Sequence, residues 1–91
     1  MNTNLGNLIL AFLAARYPGA YIADAICARL NDSGMLDGRV YDTDIQAALR
    51  ILLKNGFVQS DIEPAGTRIY WNATSPGVEA WHAAGRIHVG R

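Results

Sequence analysis

The sequence predicts an α+β domain in which three amphipathic helices are followed by a two-stranded hairpin and a short last helix. Three observations carry this reading. Apolar residues at Ile45, Ala48, Leu49, Leu52 and Leu53 follow the i, i+3, i+4, i+7, i+8 spacing of one helical face. The same helix meets Gly56 and turns directly into the extended pair Phe57-Val58. Further on, Ile69, Trp71 and Ala73 alternate with Tyr70 and Asn72, the period of a strand with one face on a core.

The first helix is expected from about Asn4 to Arg16, with Leu5, Leu8, Ile9, Phe12 and Leu13 as its apolar stripe. Asn2, Thr3 or Asn4 can cap its start. Tyr17-Pro18-Gly19 ends it, because proline cannot continue a helix and pushes its predecessor to extended geometry. Ala20-Tyr21 is a bridge that is either a small strand or the turn into the next helix. The second helix is expected over about Ile22–Leu30, with Ile22, Ala25, Ile26 and Leu30 inward and Asn31 to Gly34 as the closing turn. Met35, Leu36 and Val40 are apolar enough to pack back onto the domain.

The third helix begins where Asp42 or Thr43 can cap free N–H groups, and ends at Gly56 in a left-handed stop. Phe57–Ile62 and Arg68–Ala73 read as strands, joined by a loop containing Pro64 and Gly66. Ser75-Pro76 is a helix-start signal, a capping hydroxyl followed by proline at the first helical position. It opens a fourth helix of about Pro76–Ala84, which Gly85 ends. The order matches a winged helix-turn-helix: one domain over residues 1–85 and a tail over 86–91.

Composition bounds the function. A chain of 91 residues allows one domain. Such a domain buries only about 60–65% of the surface its unfolded chain exposes, so one small core must hold it. Eight Lys and Arg balance eight Asp and Glu; a neutral total weighs against a nucleic-acid partner, although binding depends on where charge sits. Seven of the eight basic residues are Arg, which suits phosphate and base-edge recognition. The single Cys27 excludes an internal disulfide and a cysteine-based zinc site and points to a reducing, cytoplasmic setting. No stretch approaches the roughly 20 apolar residues of a membrane span.

The outer face of the third helix carries the candidate chemistry: Thr43, Gln46, Ala47, Arg50 and Lys54. Glutamine bonds adenine edges, arginine bonds guanine, and small or methyl-bearing side chains meet the thymine methyl. Arg68, near the hairpin turn, is placed to meet a phosphate or the minor groove. Asp42 and Asp44 oppose this use, since they stand where phosphate would approach, although they also suit a helix start. Trp71 and Trp81 are expected to pack the hairpin and fourth helix onto the core. His82 and His88 are six apart with no cysteine or carboxylate cluster beside them, so no metal is expected. Cys27 is expected in a small buried role. Asp37-Gly38 lacks the alternating ligands and closing Glu of a calcium loop. No nucleophile elbow, phosphate-cradling glycine loop or acid/base pair is present, so neither enzymatic activity nor a cofactor is expected.

The segment Leu49–Val58 (LRILLKNGFV) resembles the reading-helix end of bacterial winged-helix regulators. Tyr70–Gly77 (YWNATSPG) resembles the wing-to-helix junction of PadR-like regulators, and Gly19–Ile26 (GAYIADAI) is similar to the entry to their second helix. Together these lie within roughly Leu8 to Trp81. The resemblance implies a transcriptional regulator that binds double-stranded DNA with its third helix and wing, as a homodimer. PadR-like proteins generally continue into a long C-terminal dimerisation helix. Here a short fourth helix and a tail follow, so the first helix, the fourth or the tail is expected to form the interface. The alternative is a winged-helix module that binds another protein and not DNA, favoured by the neutral charge, the acidic residues Asp61 and Glu63 of the wing and the aspartates of the third helix.

Overall fold

A computed structural model describes residues 5–36 and 38–85. Expectations resting on Asn2, Thr3, Asn4, Asp37, His88 and the tail 86–91 lie outside the described residues. The order is α1 (Leu5–Ala15), β1 (Tyr21–Ile22), α2 (Ala23–Ser33), α3 (Asp42–Lys54), β2 (Val58–Ile62), β3 (Ile69–Ala73) and α4 (Ser75–Ala83).

α1 is the buried centre. Its expected stripe is inside, and so are Leu10, Ala11 and Ala14. A helix apolar on nearly all sides must be covered on all sides, and α1 packs against α2, α3, α4 and β3. Phe12 has no exposed surface. The ring of Tyr21 meets it edge-on at 5.1 Å, and the Arg16 guanidinium lies over it at 4.0 Å while donating to the Phe12 carbonyl. The Tyr17-Pro18 peptide that follows is cis.

The bridge is a strand. Tyr21 and Ile22 pair with Trp71 and Tyr70, so the sheet has three strands in the order β1-β3-β2 and not two. Ile22 therefore precedes α2 instead of starting it. α2 also runs three residues past Leu30, through Asn31, Asp32 and Ser33, and stops at Gly34 with φ of 75°. Two of those turn-forming residues have side chains that are bonded in the helical conformation. Asn31 donates to the Val40 carbonyl and accepts from the Val40 N–H, both at 2.9 Å. Ser33 donates to the Leu30 carbonyl at 2.7 Å. Val40 is thereby buried and Leu36 packs partly onto the core, whereas Met35 is exposed.

In α3, Ile45 and Leu49 have no exposed surface and Leu52 is buried. Leu53, expected inward, is 41% exposed. At about 100° per residue, Leu53 lies about 80° from Ile45, which is at the middle of the buried stripe, and so stands at its edge. The N-cap is Tyr41, not Asp42 or Thr43. The Tyr41 N–H is taken by the carboxylate of Asp44 at 3.0 Å, half of a capping box. At the far end the Gly56 N–H bonds the Leu53 carbonyl and the Phe57 N–H bonds that of Leu52. With Gly56 at φ of 79° this is a Schellman stop, which satisfies carbonyls the helix leaves open.

β2 and β3 form the hairpin, with Val58 opposite Ala73 and Ile62 opposite Ile69. Val58, Trp71 and Ala73 are buried on the helix side, while Ile62 and Ile69 on the same face run past the helices and are exposed. α4 is capped by Thr74 and not Ser75. The Thr74 hydroxyl accepts from the Gly77 N–H at 3.1 Å and donates to the Gly56 carbonyl at 2.6 Å, and the Thr74 N–H bonds the Phe57 carbonyl. This position suits Thr74 because it touches the end of α3 and the start of α4 at once. Gly77 is buried against the same Phe57 carbonyl, and a Cβ there would overlap that oxygen.

Two stability outcomes follow from this packing. Leu49→Ala opens a cavity beneath α3 and is expected to cost about 2–5 kcal/mol in urea unfolding. Gly77→Ala must move α4 off the wing root and is expected to cost about 1–3 kcal/mol in the same experiment, although alanine is the better helix former. A Gly77→Ala variant as stable as the parent would refute the close approach.

Candidate nucleic-acid interface

The face of α3 turned from the core is continuous. Thr43, Gln46, Ala47, Arg50 and Lys54 stand at i, i+3, i+4, i+7 and i+11, which places them on one side of a helix. Thr43, Ala47, Arg50 and Lys54 are exposed and Gln46 is half-buried. The face is polar and basic towards its C-terminal half and small in its middle, which leaves room for a close approach to base edges.

The two aspartates at the head of α3 are both engaged. Asp44 holds the Tyr41 N–H. Asp42 accepts from the Gln46 amide at 2.8 Å, and its other carboxylate oxygen is buried. Both sit in the first turn, where the helix dipole favours negative charge. Their carboxylates are thus committed to the helix itself. Arg50 and Lys54 project from turns farther along.

Arg68 is exposed beside the hairpin turn. Its carbonyl accepts from the Glu63 N–H at 2.9 Å, and Gly66 closes the turn at φ of 82°. A five-residue strand spans about 17 Å, so Arg68 stands well away from the end of α3. The structure therefore gathers five of the six candidate residues on one helix and sets the sixth apart on the wing.

Other candidates have local roles. Cys27 donates to the Val40 carbonyl at 3.5 Å. Burial, with the negative charge of Asp42 next, raises its thiol pKa, which keeps it protonated and poorly reactive. Trp71 is buried and Trp81 packs partly onto the core beside His82. Among the described residues no group of three His, Cys, Asp or Glu side chains is placed to hold a metal ion, and no helix is long and apolar enough to cross a membrane. A shallow open groove on the outer face of the sheet is lined by Pro18, Gln59, Asp61, Tyr70 and Asn72.

Sequence reasoning missed the exposed apolar residues around this face. Ile51 is 63% exposed and Tyr41 61%. The signal was present for Ile51, since four residues beyond Ala47 it falls on the outer side of the same helix.

No family model and no curated relative matches the sequence. Solved structures do. A transcriptional regulator from Clostridium thermocellum is 20% identical with a TM-score of 0.75, over 90% of this chain and 77% of that one. An apo mutant form of ZitR from Lactococcus lactis is 17% identical with a TM-score of 0.71 over 91% of this chain. Bacillus subtilis PadR, solved in complex with operator DNA, is 19% identical with a TM-score of 0.69 over 93% of this chain. The chain spans about half the length of the last two, 55% of ZitR and 50% of PadR. Its element order, its hairpin and these likenesses give the chain a winged-helix fold similar to that of these three structures.

Proposed function

We propose that this domain is a DNA-binding transcriptional regulator that sets α3 in the major groove and rests its wing on the adjacent backbone. The observation that carries the reading is the outer face of α3. It presents Gln46 and Arg50, which match adenine and guanine edges, beside the small Thr43 and Ala47. Lys54 and Arg68 are the phosphate contacts in this reading, one at the end of the helix and one on the wing. The PadR structure similar to this chain was solved on operator DNA, which supports the same use of the fold. A homodimer is part of the proposal, because two copies of α3 about 34 Å apart reach successive major grooves and double the sequence that is read.

A second reading is a protein-binding module. Ile51, Leu53 and Tyr41 are exposed on or beside α3, and Ile62 and Ile69 are exposed at the wing tip. Exposed apolar groups of this kind suit a protein surface better than a phosphate backbone.

Salt-titrated binding to DNA duplexes separates the two. A DNA regulator shows affinity that falls steeply with salt. Arg50→Ala is expected to weaken binding about tenfold while leaving the thermal melt unchanged. Lys54→Ala is expected to reduce the salt slope by about one phosphate contact. Absence of binding to any fragment at low salt would sink the DNA reading, and unchanged affinity in Arg50→Ala would sink the assigned face.

A further inference from the structure

The hydrogen bond between Asp42 and Gln46 has a chemical consequence for what α3 reads. Gln46 Nε2 donates to Asp42 Oδ2 at 2.8 Å, one turn back along the helix. The other oxygen, Asp42 Oδ1, is buried without a hydrogen-bond partner among the described residues. The carboxylate is thus enclosed on one side and tied to the glutamine on the other.

An ionised carboxylate accepts hydrogen bonds and cannot donate one. It therefore selects the NH2 end of the Gln46 amide and turns Oε1 away. A glutamine without this contact presents its amide either way round. The other acid of the first turn does not compete, because Asp44 lies on the opposite flank of α3 from Gln46 and holds the Tyr41 N–H.

We propose that Asp42 is a positioning residue that holds the Gln46 amide in one orientation and so makes α3 selective for adenine. With one N–H given to Asp42, Gln46 keeps one N–H and its Oε1. Adenine presents an acceptor at N7 and a donor at N6 in the major groove, the complement of that pair. The proposal rests on the reading of α3 as the recognition helix.

The test is selection from a pool of duplexes with a random core, followed by titration of the enriched duplex and its single-base variants. The wild-type chain is compared with Gln46→Ala, Asp42→Ala and Asp42→Asn. Wild type is expected to prefer adenine at one position of the site by about tenfold, and Gln46→Ala to lose that preference. Asp42→Ala is expected to cut it to about threefold or less while preferences elsewhere in the site persist. Asp42→Asn both donates and accepts, admits either amide orientation, and is expected to broaden the same position; it carries the test if Asp42→Ala folds poorly. A purely structural role at the helix start would lower affinity for all duplexes alike and keep the adenine preference, which overturns the proposal. Full preference retained in Gln46→Ala overturns it too. If wild type enriches nothing, the DNA reading itself fails, a result distinct from enrichment that is indifferent to Asp42.

Discussion

A central helix with apolar side chains nearly all round is the constraint on which the rest of this domain depends. Leu8, Ile9, Leu10, Phe12 and Leu13 are all buried, so α1 needs partners on every side. α2, α3 and β3 all pack against it, and α4 covers the side that bears Leu10. A chain this short has one core to spend its apolar residues on. The short fourth helix is therefore part of the core's enclosure. Trp71 and Ala73 bring the hairpin to the same core, which gives the wing a fixed base that an isolated hairpin would lack.

The junction around Thr74 links that core to the candidate interface. Three segments meet there: the end of α3, the root of the wing and the start of α4. The Thr74 hydroxyl and N–H bond the carbonyls of Gly56 and Phe57, while Gly77 lets α4 press against that same turn. The Schellman stop turns the chain within Asn55 and Gly56, between the end of α3 at Lys54 and Phe57. α3 and the wing are consequently joined by a short turn whose carbonyls at Leu52, Leu53, Gly56 and Phe57 are bonded, which sets the outer face of α3 and the wing in one relative geometry. In a DNA reader such preorganisation limits the ordering cost of binding.

Acidic residues at the head of a helix offered to phosphate look like a conflict when only charge is counted. Geometry changes the weight of that argument. Asp44 completes half of a capping box and Asp42 holds Gln46, so both carboxylates serve the helix. The exposed cations Arg50 and Lys54 lie farther along the same element. A neutral total charge is compatible with this separation, because the field over a face depends on where each group points.

The periodicity of Ile45, Leu49 and Leu52, the alternation of Trp71 and Ala73, and the stop at Gly56 made the helices and hairpin legible from residues alone. Apolar spacing reports which side of an element is buried, and that is a local property. Most of the outer face of α3 was legible for the same reason, as the complement of the buried stripe. Other features depended on distant partners. Tyr21-Ile22 became a strand only because Trp71 and Tyr70 lie opposite. Asn31, in the helical run to Ser33, is bonded by Val40 where the chain returns to it. The cap moved from Ser75 to Thr74 because the end of α3 comes within reach. Sequence by itself thus determined the order of the helices and the hairpin, the apolar faces and most of the polar outer face of α3. Tertiary structure alone decided the third strand, the all-round burial of α1 and the place of the cap at Thr74, since each depends on groups that only the folded chain brings together.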